Sequence, residues 1–161
     1  MKKALALSAA VLAAGAMLST PAQATALDKT KAERLAMALT LTKNTKASYN
    51  AWARFKTNRN TTQVKEFEFN WNTDGCSVPK AVPHGSTWGA VFKIPCWRHD
   101  FGYRNVKALA SSSAWKNYKK EVDSAFLGDM KRVCDAQSNS AARAACKAVA
   151  TQFYNAVKYF A

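Results

Sequence analysis

Four cysteines constrain the fold of this 161-residue chain more than any other feature. They stand at Cys76, Cys96, Cys134 and Cys146. An even number of cysteines in an exported chain predicts disulfides, and four cysteines allow three pairings. We favour Cys76–Cys96 and Cys134–Cys146, because each closes a short loop between candidate elements, and the other two pairings stay open at this point. The spacings are not those of zinc ligands.

The N-terminal residues predict export. Lys2 and Lys3 precede an apolar run over residues 4–18, and Ala22-Gln23-Ala24 offers a small-residue cleavage site. This pattern is typical of a secretory signal peptide over residues 1–24, with a retained membrane anchor as the alternative. We expect a secreted protein with a single domain over residues 25–161. Residues 25–46 carry no motif, and they form either an N-terminal helix or a pro-segment.

The charge of the chain narrows the class of partner. The sequence has 24 basic and 10 acidic residues, which gives a formal net charge of +14. Such an excess favours anionic partners, namely membrane surfaces, nucleic acid or acidic polymers. Charge alone does not choose among these three.

The apolar periodicity predicts a mainly α fold. We expect helices over about residues 28–41, 48–55, 96–110, 114–133 and 141–160. Residues 67–71 alternate between aromatic and polar side chains and are predicted to be extended. Residues 72–95 contain prolines and glycines and are predicted to form a long functional loop. The expected architecture is a small helical domain, stapled by disulfides, with two long antiparallel helices.

The helix that begins near Cys96 carries the most informative face. Cys96, His99, Tyr103 and Val106 recur at spacings of three and four residues, so they share one side of the helix. Asp100 lies about 100° further round. The adjacent His99 and Asp100 therefore serve different neighbours.

Asp123 is the candidate partner of His99. On a helical wheel of residues 122–134 this carboxylate falls inside an apolar arc of about 140°. A carboxylate that faces an apolar core is costly unless it is hydrogen-bonded, and a histidine N–H would satisfy it. The alternative is that Asp123 caps the helix or pairs with Lys119 or Lys120.

Asp100 has two interpretations. It can form an i,i+4 ion pair with Arg104, which is a common surface arrangement of little energetic value. If Cys76 bonds to Cys96, however, Asp74 and the Gly75 carbonyl come close to Asp100. Two carboxylates and a carbonyl form an oxygen cluster suited to Ca²⁺.

Three segments of the sequence resemble the secreted bacterial and fungal phospholipase A2 family. The similarity covers roughly residue 47 to the C-terminus. The most specific element is a Cys-x-x-His-Asp helix followed by a distant Asp on a second long helix. The segments are Asn70-Trp71-Asn72-Thr73-Asp74-Gly75-Cys76-Ser77, Pro95-Cys96-Trp97-Arg98-His99-Asp100-Phe101-Gly102-Tyr103-Arg104-Asn105 and Val122-Asp123-Ser124-Ala125-Phe126.

The resemblance implies a calcium-dependent phospholipase A2. It assigns His99 as the general base that activates water against the sn-2 ester of a glycerophospholipid, and Asp123 as the residue that orients it. It also assigns Ca²⁺ to three ligands and a supporting role to Tyr103. The implied ligands are Asp74, the Gly75 carbonyl and Asp100. The glycine after Asp74 departs from the family pattern, in which a larger side chain is common there.

The implied partner is a phospholipid membrane or micelle surface, which a monomer would bind peripherally. One rival hypothesis is a non-catalytic, calcium-dependent protein that binds lipid or cell surfaces on the same scaffold. A second rival is a secreted cationic protein that binds nucleic acid, with a strongly salt-dependent affinity. The sequence shows no nucleic-acid motif, and we expect no nucleic-acid partner.

Overall fold

The fold is mainly α, as predicted. The computed structural model describes residues 28–76, 82 and 85–160, so the predicted signal peptide over residues 1–24 lies outside the described residues. Strands are absent from the described part of the chain, and none of its helices is long and apolar enough to cross a membrane. The helices are α1 (Lys31–Leu41), α2 (Lys46–Thr57), α3 (Thr62–Lys65), α4 (Gly85–Val91), α5 (Lys93–Leu109), α6 (Ser112–Asp135) and α7 (Ser140–Phe160).

The prediction of a loop up to residue 95 was wrong at its C-terminal end. Residues 85–91 form α4, and α5 begins at Lys93, three residues earlier than expected. Trp88 and Phe92 stack with ring centroids 5.7 Å apart, and the Phe92 N–H donates to the Trp88 carbonyl. The i,i+4 spacing of these two aromatic residues favours a helix, although glycines are also present in this segment. Pro95 lies in the first turn of α5, where its missing N–H costs no hydrogen bond.

Polar caps set where the long helices begin. The Ser111 hydroxyl accepts a hydrogen bond from the Ala114 N–H at 3.2 Å, so the serine run starts α6 at Ser112. The Asn139 side chain accepts from the Ala142 N–H at 2.8 Å at the start of α7. These caps fix the starts of α6 and α7, so only residues 110–111 connect α5 to α6 and only residues 136–139 connect α6 to α7.

Two hydrophobic cores flank the α5–α6 pair. One core joins α4, α5, α6 and α7 and includes Phe92, Cys96, Phe126, Met130, Cys134, Cys146, Ala150 and Phe153. The other joins α1, α2 and the extended residues 67–71 to the opposite side of the pair and includes Ala38, Leu41, Trp52, Phe67, Phe69, Phe101, Val106 and Val122. The seam between α5 and α6 therefore lies between the two cores.

Helices α5 and α6 run antiparallel and approach closely. Contacts pair Arg98 with Asp129 and Tyr103 with Trp115, so residue numbers rise on one helix as they fall on the other. A Cβ atom on Gly102 would stand 2.6 Å from a methyl carbon of Val122. A glycine is therefore needed where the backbones meet. Helix α7 is antiparallel to α6, and the disulfide Cys134–Cys146 joins their near ends.

A buried arginine ties the N-terminal helices to this pair. The side chains of Arg98 and Asp129 are 2% and 1% exposed, and Arg98 Nη1 lies 2.5 Å from Asp129 Oδ2. The same guanidinium donates to the Leu41 carbonyl at 3.0 Å, the Lys43 carbonyl at 2.8 Å and the Ser48 hydroxyl at 2.7 Å. It therefore donates hydrogen bonds both to a carbonyl at the C-terminal end of α1, which has no partner within the helix, and to a hydroxyl in the first turn of α2.

We expect Arg98→Met to lower the free energy of unfolding by about 3 kcal/mol, because removal of one partner of a buried ion pair leaves the other uncompensated. Arg132, which lies 2.6 Å from Asp129 Oδ1, keeps the loss at the lower end of the usual range. Urea unfolding followed by circular dichroism measures the change. Arg59→Met, at an exposed arginine, is the control and should stay within about 0.5 kcal/mol of the wild type. A loss of that small size for Arg98→Met would contradict the role given to the pair.

Candidate active site

The segment over residues 67–76 is held against α5 by a buried asparagine. The Asn105 side chain accepts from the Asn70 N–H at 2.8 Å and donates to the Asn70 carbonyl at 2.9 Å. At the other end the disulfide Cys76–Cys96 joins the segment to the first turns of α5, with the two Cα atoms 5.2 Å apart. The structure thus has the disulfide pairing that we favoured. Residues 73–75, between these two attachments, lie over the middle of α5.

His99 and Asp123 meet across the seam between α5 and α6. His99 Nε2 lies 2.9 Å from Asp123 Oδ1, and their side chains are 9% and 4% exposed. The imidazole packs between the rings of Tyr103 and Phe126, whose centroids lie 4.5 and 4.6 Å from its own. The ring is therefore fixed in position, and Nδ1 is the nitrogen left free of Asp123.

Asp123 accepts hydrogen bonds from three side chains. Besides His99, the Tyr103 hydroxyl donates to Oδ1 at 3.0 Å and Lys119 Nζ donates to Oδ2 at 2.9 Å. The two partners weighed for Asp123 from the sequence, His99 and Lys119, are thus not exclusive. Burial alone would raise the pKa of Asp123, but the hydrogen bonds and charges of His99 and Lys119 outweigh it and hold the pKa below its ordinary value. Burial and then the Asp123 charge raise the pKa of Tyr103, which keeps the phenol a neutral donor.

Asp100 faces the segment over residues 73–75 rather than α6. The Thr73 hydroxyl donates to Asp100 Oδ2 and accepts from the Gly75 N–H at 3.0 Å, so it links the loop to the helix. Burial raises the pKa of Asp100, and the neighbouring Asp74 carboxylate raises it further, despite the Thr73 hydrogen bond. Arg104 lies 3.3 Å from Asp74 Oδ1, so the structure pairs this arginine with Asp74 and not with Asp100 as the i,i+4 alternative proposed.

Gly75 has a backbone conformation that explains why glycine stands there. Its φ angle is +91°, in the left-handed region that side chains rarely adopt. A Cβ atom at this position would meet nothing within 4 Å, so the requirement is conformational and not steric. Gly75 departs from the family pattern at a turn whose backbone conformation would be strained for any residue other than glycine.

Asp74, Asp100 and the Gly75 carbonyl are oxygen donors of the kind that Ca²⁺ takes. Burial and, to a smaller extent, the like charge of the neighbouring Asp74 raise the pKa of Asp100, so a cation beside the two carboxylates would relieve an existing repulsion. Clusters of three or more His, Cys, Asp or Glu side chains suited to a metal are absent from the residues that the structure describes. The Gly75 carbonyl and water would therefore have to complete the ligand set, as hard oxygen donors can for Ca²⁺.

A cavity of about 370 Å³ joins these groups. His99 and Tyr103 form its floor, and its mouth is polar, with Asp74, Asp100, Arg104 and Lys107. The remaining wall is apolar and is formed by Phe126, Phe153 and Val157. The cavity thus combines an apolar wall with a polar mouth that carries charges of both signs.

The sequence reasoning missed Arg98 and Asp129. On the wheel of α6, Asp129 lies about 20° outside the apolar arc that drew attention to Asp123, so the same argument extended by one position would have found it. The sequence reasoning also considered Lys119 only as an alternative to His99 as the partner of Asp123. The i,i+4 spacing of Lys119 and Asp123 was the available signal.

The fold and the site define a class, that of small disulfide-linked helical proteins in which a buried His–Asp pair stands beside an acidic loop. Residues 44–161 match the family model described as prokaryotic phospholipase A2. The chain belongs to this family.

Two fungal proteins named secretory phospholipase A2 are similar to the chain. The protein from Beauveria bassiana (strain ARSEF 2860) is 32% identical over 91 residues, which are 56% of this chain and 43% of that protein. The protein from Arthroderma benhamiae (strain ATCC MYA-4681 / CBS 112371) is 38% identical over 66 residues, which are 40% of each chain. The chain thus spans less than half the length of these relatives.

The depressed pKa of Asp123 predicts a pH-dependent stability. A carboxylate whose pKa is lower in the folded state stabilises the protein above its unfolded pKa, and this contribution is lost as the pH falls through the folded value. We therefore expect the free energy of unfolding to drop as the pH falls below the ordinary pKa of an aspartate, about 4, and to drop less steeply in Asp123→Asn. Asp100, whose pKa is shifted in the opposite direction, is present in both proteins and cancels in the comparison.

Urea unfolding at a series of pH values measures this difference. Glu121→Gln removes an exposed carboxylate from the same helix and should keep the wild-type slope. Equal slopes for Asp123→Asn and the wild type would show that folding does not lower the pKa of Asp123.

Proposed function

We propose that this protein is a secreted, calcium-dependent phospholipase A2. It would act as a monomer on the sn-2 ester of glycerophospholipids, releasing a free fatty acid and a lysophospholipid. The observation that carries the proposal is the contact of 2.9 Å between His99 Nε2 and Asp123 Oδ1 at the floor of a half-apolar cavity. The family membership and the names of the two fungal relatives support the same activity and secretion.

In this proposal His99 acts as the general base. With the Nε2 proton donated to Asp123, the ring is neutral and its Nδ1 lone pair can accept a proton from water. That water attacks the ester carbonyl, and the imidazolium then returns the proton to the leaving glycerol oxygen. Asp123 fixes the tautomer and stabilises the imidazolium, while Tyr103 and Phe126 keep the ring in its plane.

Calcium would be held by Asp74, Asp100 and the Gly75 carbonyl. Bound there, the ion supplies positive charge for the developing oxyanion and for the substrate phosphate. The Thr73 hydroxyl hydrogen-bonds to both the Asp100 carboxylate and the Gly75 N–H, so it fixes the loop relative to Asp100. Arg104 and Lys107, at the mouth, add charge that favours an anionic headgroup, and the apolar wall suits the acyl chain.

We expect sn-2 fatty-acid release in the presence of Ca²⁺, no release with a chelator, and a loss of about 10²–10⁴-fold in His99→Asn, the range for removal of a general base. The measurement uses phospholipid vesicles labelled separately at the sn-1 and sn-2 chains. Glu121→Gln changes an exposed residue that does not line the cavity and should retain wild-type release.

Three other results would each change the assignment. Calcium-dependent vesicle binding by a wild type that releases no fatty acid would favour a lipid- or cell-surface-binding protein on the same scaffold. Release that survives His99→Asn would remove His99 from the mechanism. Release from the sn-1 chain would contradict the phospholipase A2 specificity.

The partner in this proposal is an anionic phospholipid surface, and a cluster around Trp97 supports it. Lys56 Nζ and Lys93 Nζ lie 4.6 and 4.8 Å from the centroid of the Trp97 ring. Ile94, on the same turn of α5, is 37% exposed although it is apolar. Neither ammonium forms an ion pair with a carboxylate in the part of the chain that the structure describes. An aromatic ring, an exposed aliphatic side chain and two unneutralised cations suit the headgroup region of a membrane.

We expect the double variant Lys56→Gln/Lys93→Gln to bind vesicles rich in phosphatidylserine about tenfold or more weakly, since each lysine near an anionic surface contributes about 1 kcal/mol. Sedimentation of sucrose-loaded vesicles measures the affinity. Lys116→Gln/Lys120→Gln removes the same charge from an exposed part of α6 and is the matched control. Equal losses in both double variants would mean that net charge, and not this cluster, sets the binding.

A further inference from the structure

Lys119 occupies a position that the proposed mechanism does not use. Its ammonium donates to Asp123 Oδ2 at 2.9 Å and to the Val157 carbonyl at 3.0 Å, and its side chain is 20% exposed. It is not among the residues that line the cavity. Whatever it contributes to the reaction must therefore pass through the groups that it contacts.

The first of these groups is the carboxylate that orients the base. Asp123 is surrounded by His99 and Tyr103 from α5 and by Lys119 from α6. His99 and Tyr103 both bind Oδ1, whereas Lys119 alone among the described side chains binds Oδ2. The ammonium therefore sets the rotation of the carboxylate and leaves Oδ1 aimed at the imidazole.

The second group belongs to the last turn of α7. The C-terminal end of a helix carries the negative end of the helix dipole, which favours a cation. The Val157 carbonyl lies in the last turn of α7, and the Val157 side chain forms part of the apolar wall of the cavity. A single ammonium thus bridges the orienting carboxylate and the helix that carries this wall.

The attachment to α7 has a counterpart at the other end of the helix. The disulfide Cys134–Cys146 joins the last turn of α6 to the second turn of α7. Lys119 lies near the start of α6 and reaches the end of α7. The two antiparallel helices are therefore clasped at both ends, covalently at one and by this lysine at the other.

We propose that Lys119 is a positioning residue for the reaction, which holds Asp123 in the orientation that His99 needs and holds the α7 wall of the cavity against the His–Asp pair. The proposal rests on the phospholipase function proposed above. It assigns to Lys119 a contribution to catalysis without contact with substrate. It differs from a merely structural role, because the charge and reach of the side chain are then needed for turnover and not only for folding.

The test compares Lys119→Met, Lys119→Arg and Lys120→Met with the wild type on dihexanoyl phosphatidylcholine below its micellar concentration, which removes membrane binding from the comparison. We expect Lys119→Met to lower kcat about ten- to a hundredfold, as for loss of a hydrogen bond to a charged group. KM should stay within about threefold, because an interaction that acts through the orienting carboxylate is expressed mainly in the transition state. Lys119→Arg should recover at least a third of the wild-type kcat, and Lys120→Met should match the wild type.

A second readout keeps the result interpretable. Circular dichroism and the urea midpoint of each variant show whether it folds, and the carbon shift of the Asp123 carboxyl, followed with pH, reports the loss of the ammonium directly. A folded Lys119→Met with kcat within twofold of the wild type would overturn the proposal. So would a Lys119→Arg variant that is folded but as inactive as Lys119→Met. An inactive wild type would instead overturn the proposed function, and the positioning role would fall with it.

Discussion

The hydrogen bonds of the Arg98 guanidinium are the constraint on which the rest of the structure depends. Arg98 and Asp129 are almost fully buried between helices, where an unpaired charge would be very costly. Burial lowers the pKa of Arg98 but the group stays charged, because an arginine does not lose its proton in proteins. In the folded protein its donors are therefore matched by acceptors within the core. Those partners come from α1, the connection between α1 and α2, α2 itself and α6, so one side chain fixes three helices on α5.

Three consecutive residues of α5 then face three different parts of the molecule. Arg98 points to the N-terminal helices, His99 to α6, and Asp100 to the loop over residues 73–75. A helix turns by about 100° per residue, so adjacent side chains diverge in this way without any distortion of the backbone. The ion pair between Arg98 and Asp129 thus holds α5 in the position at which His99 meets Asp123 and Asp100 meets the loop over residues 73–75.

The sequence predicted the elements whose signal is local. The face that carries Cys96, His99 and Tyr103 follows from helical spacing, and the apolar position of Asp123 on α6 pointed to a hydrogen-bonded partner. It did not predict α4, because glycines masked the apolar spacing of Trp88 and Phe92. Nor did it predict that Asp123 would serve Lys119 and His99 together, or that Arg98 would contact Leu41 and Lys43. These contacts span long distances in sequence and depend on how the helices pack, which periodicity does not encode.

The position of the α5–α6 pair between two hydrophobic cores has a consequence for the way the protein opens. Each core uses this pair as one of its walls, and Gly102 lets the two backbones touch between them. Disruption of either core would expose apolar side chains of α5 and α6 to water and weaken the packing of the other core. Unfolding of one core alone should therefore cost much free energy. Amide hydrogens on the buried turns of α5 and α6 should therefore exchange with solvent only through global unfolding, while those of α3 and the ends of α1 exchange through local fraying. The seam between α5 and α6 would be the last part of the molecule to admit deuterium.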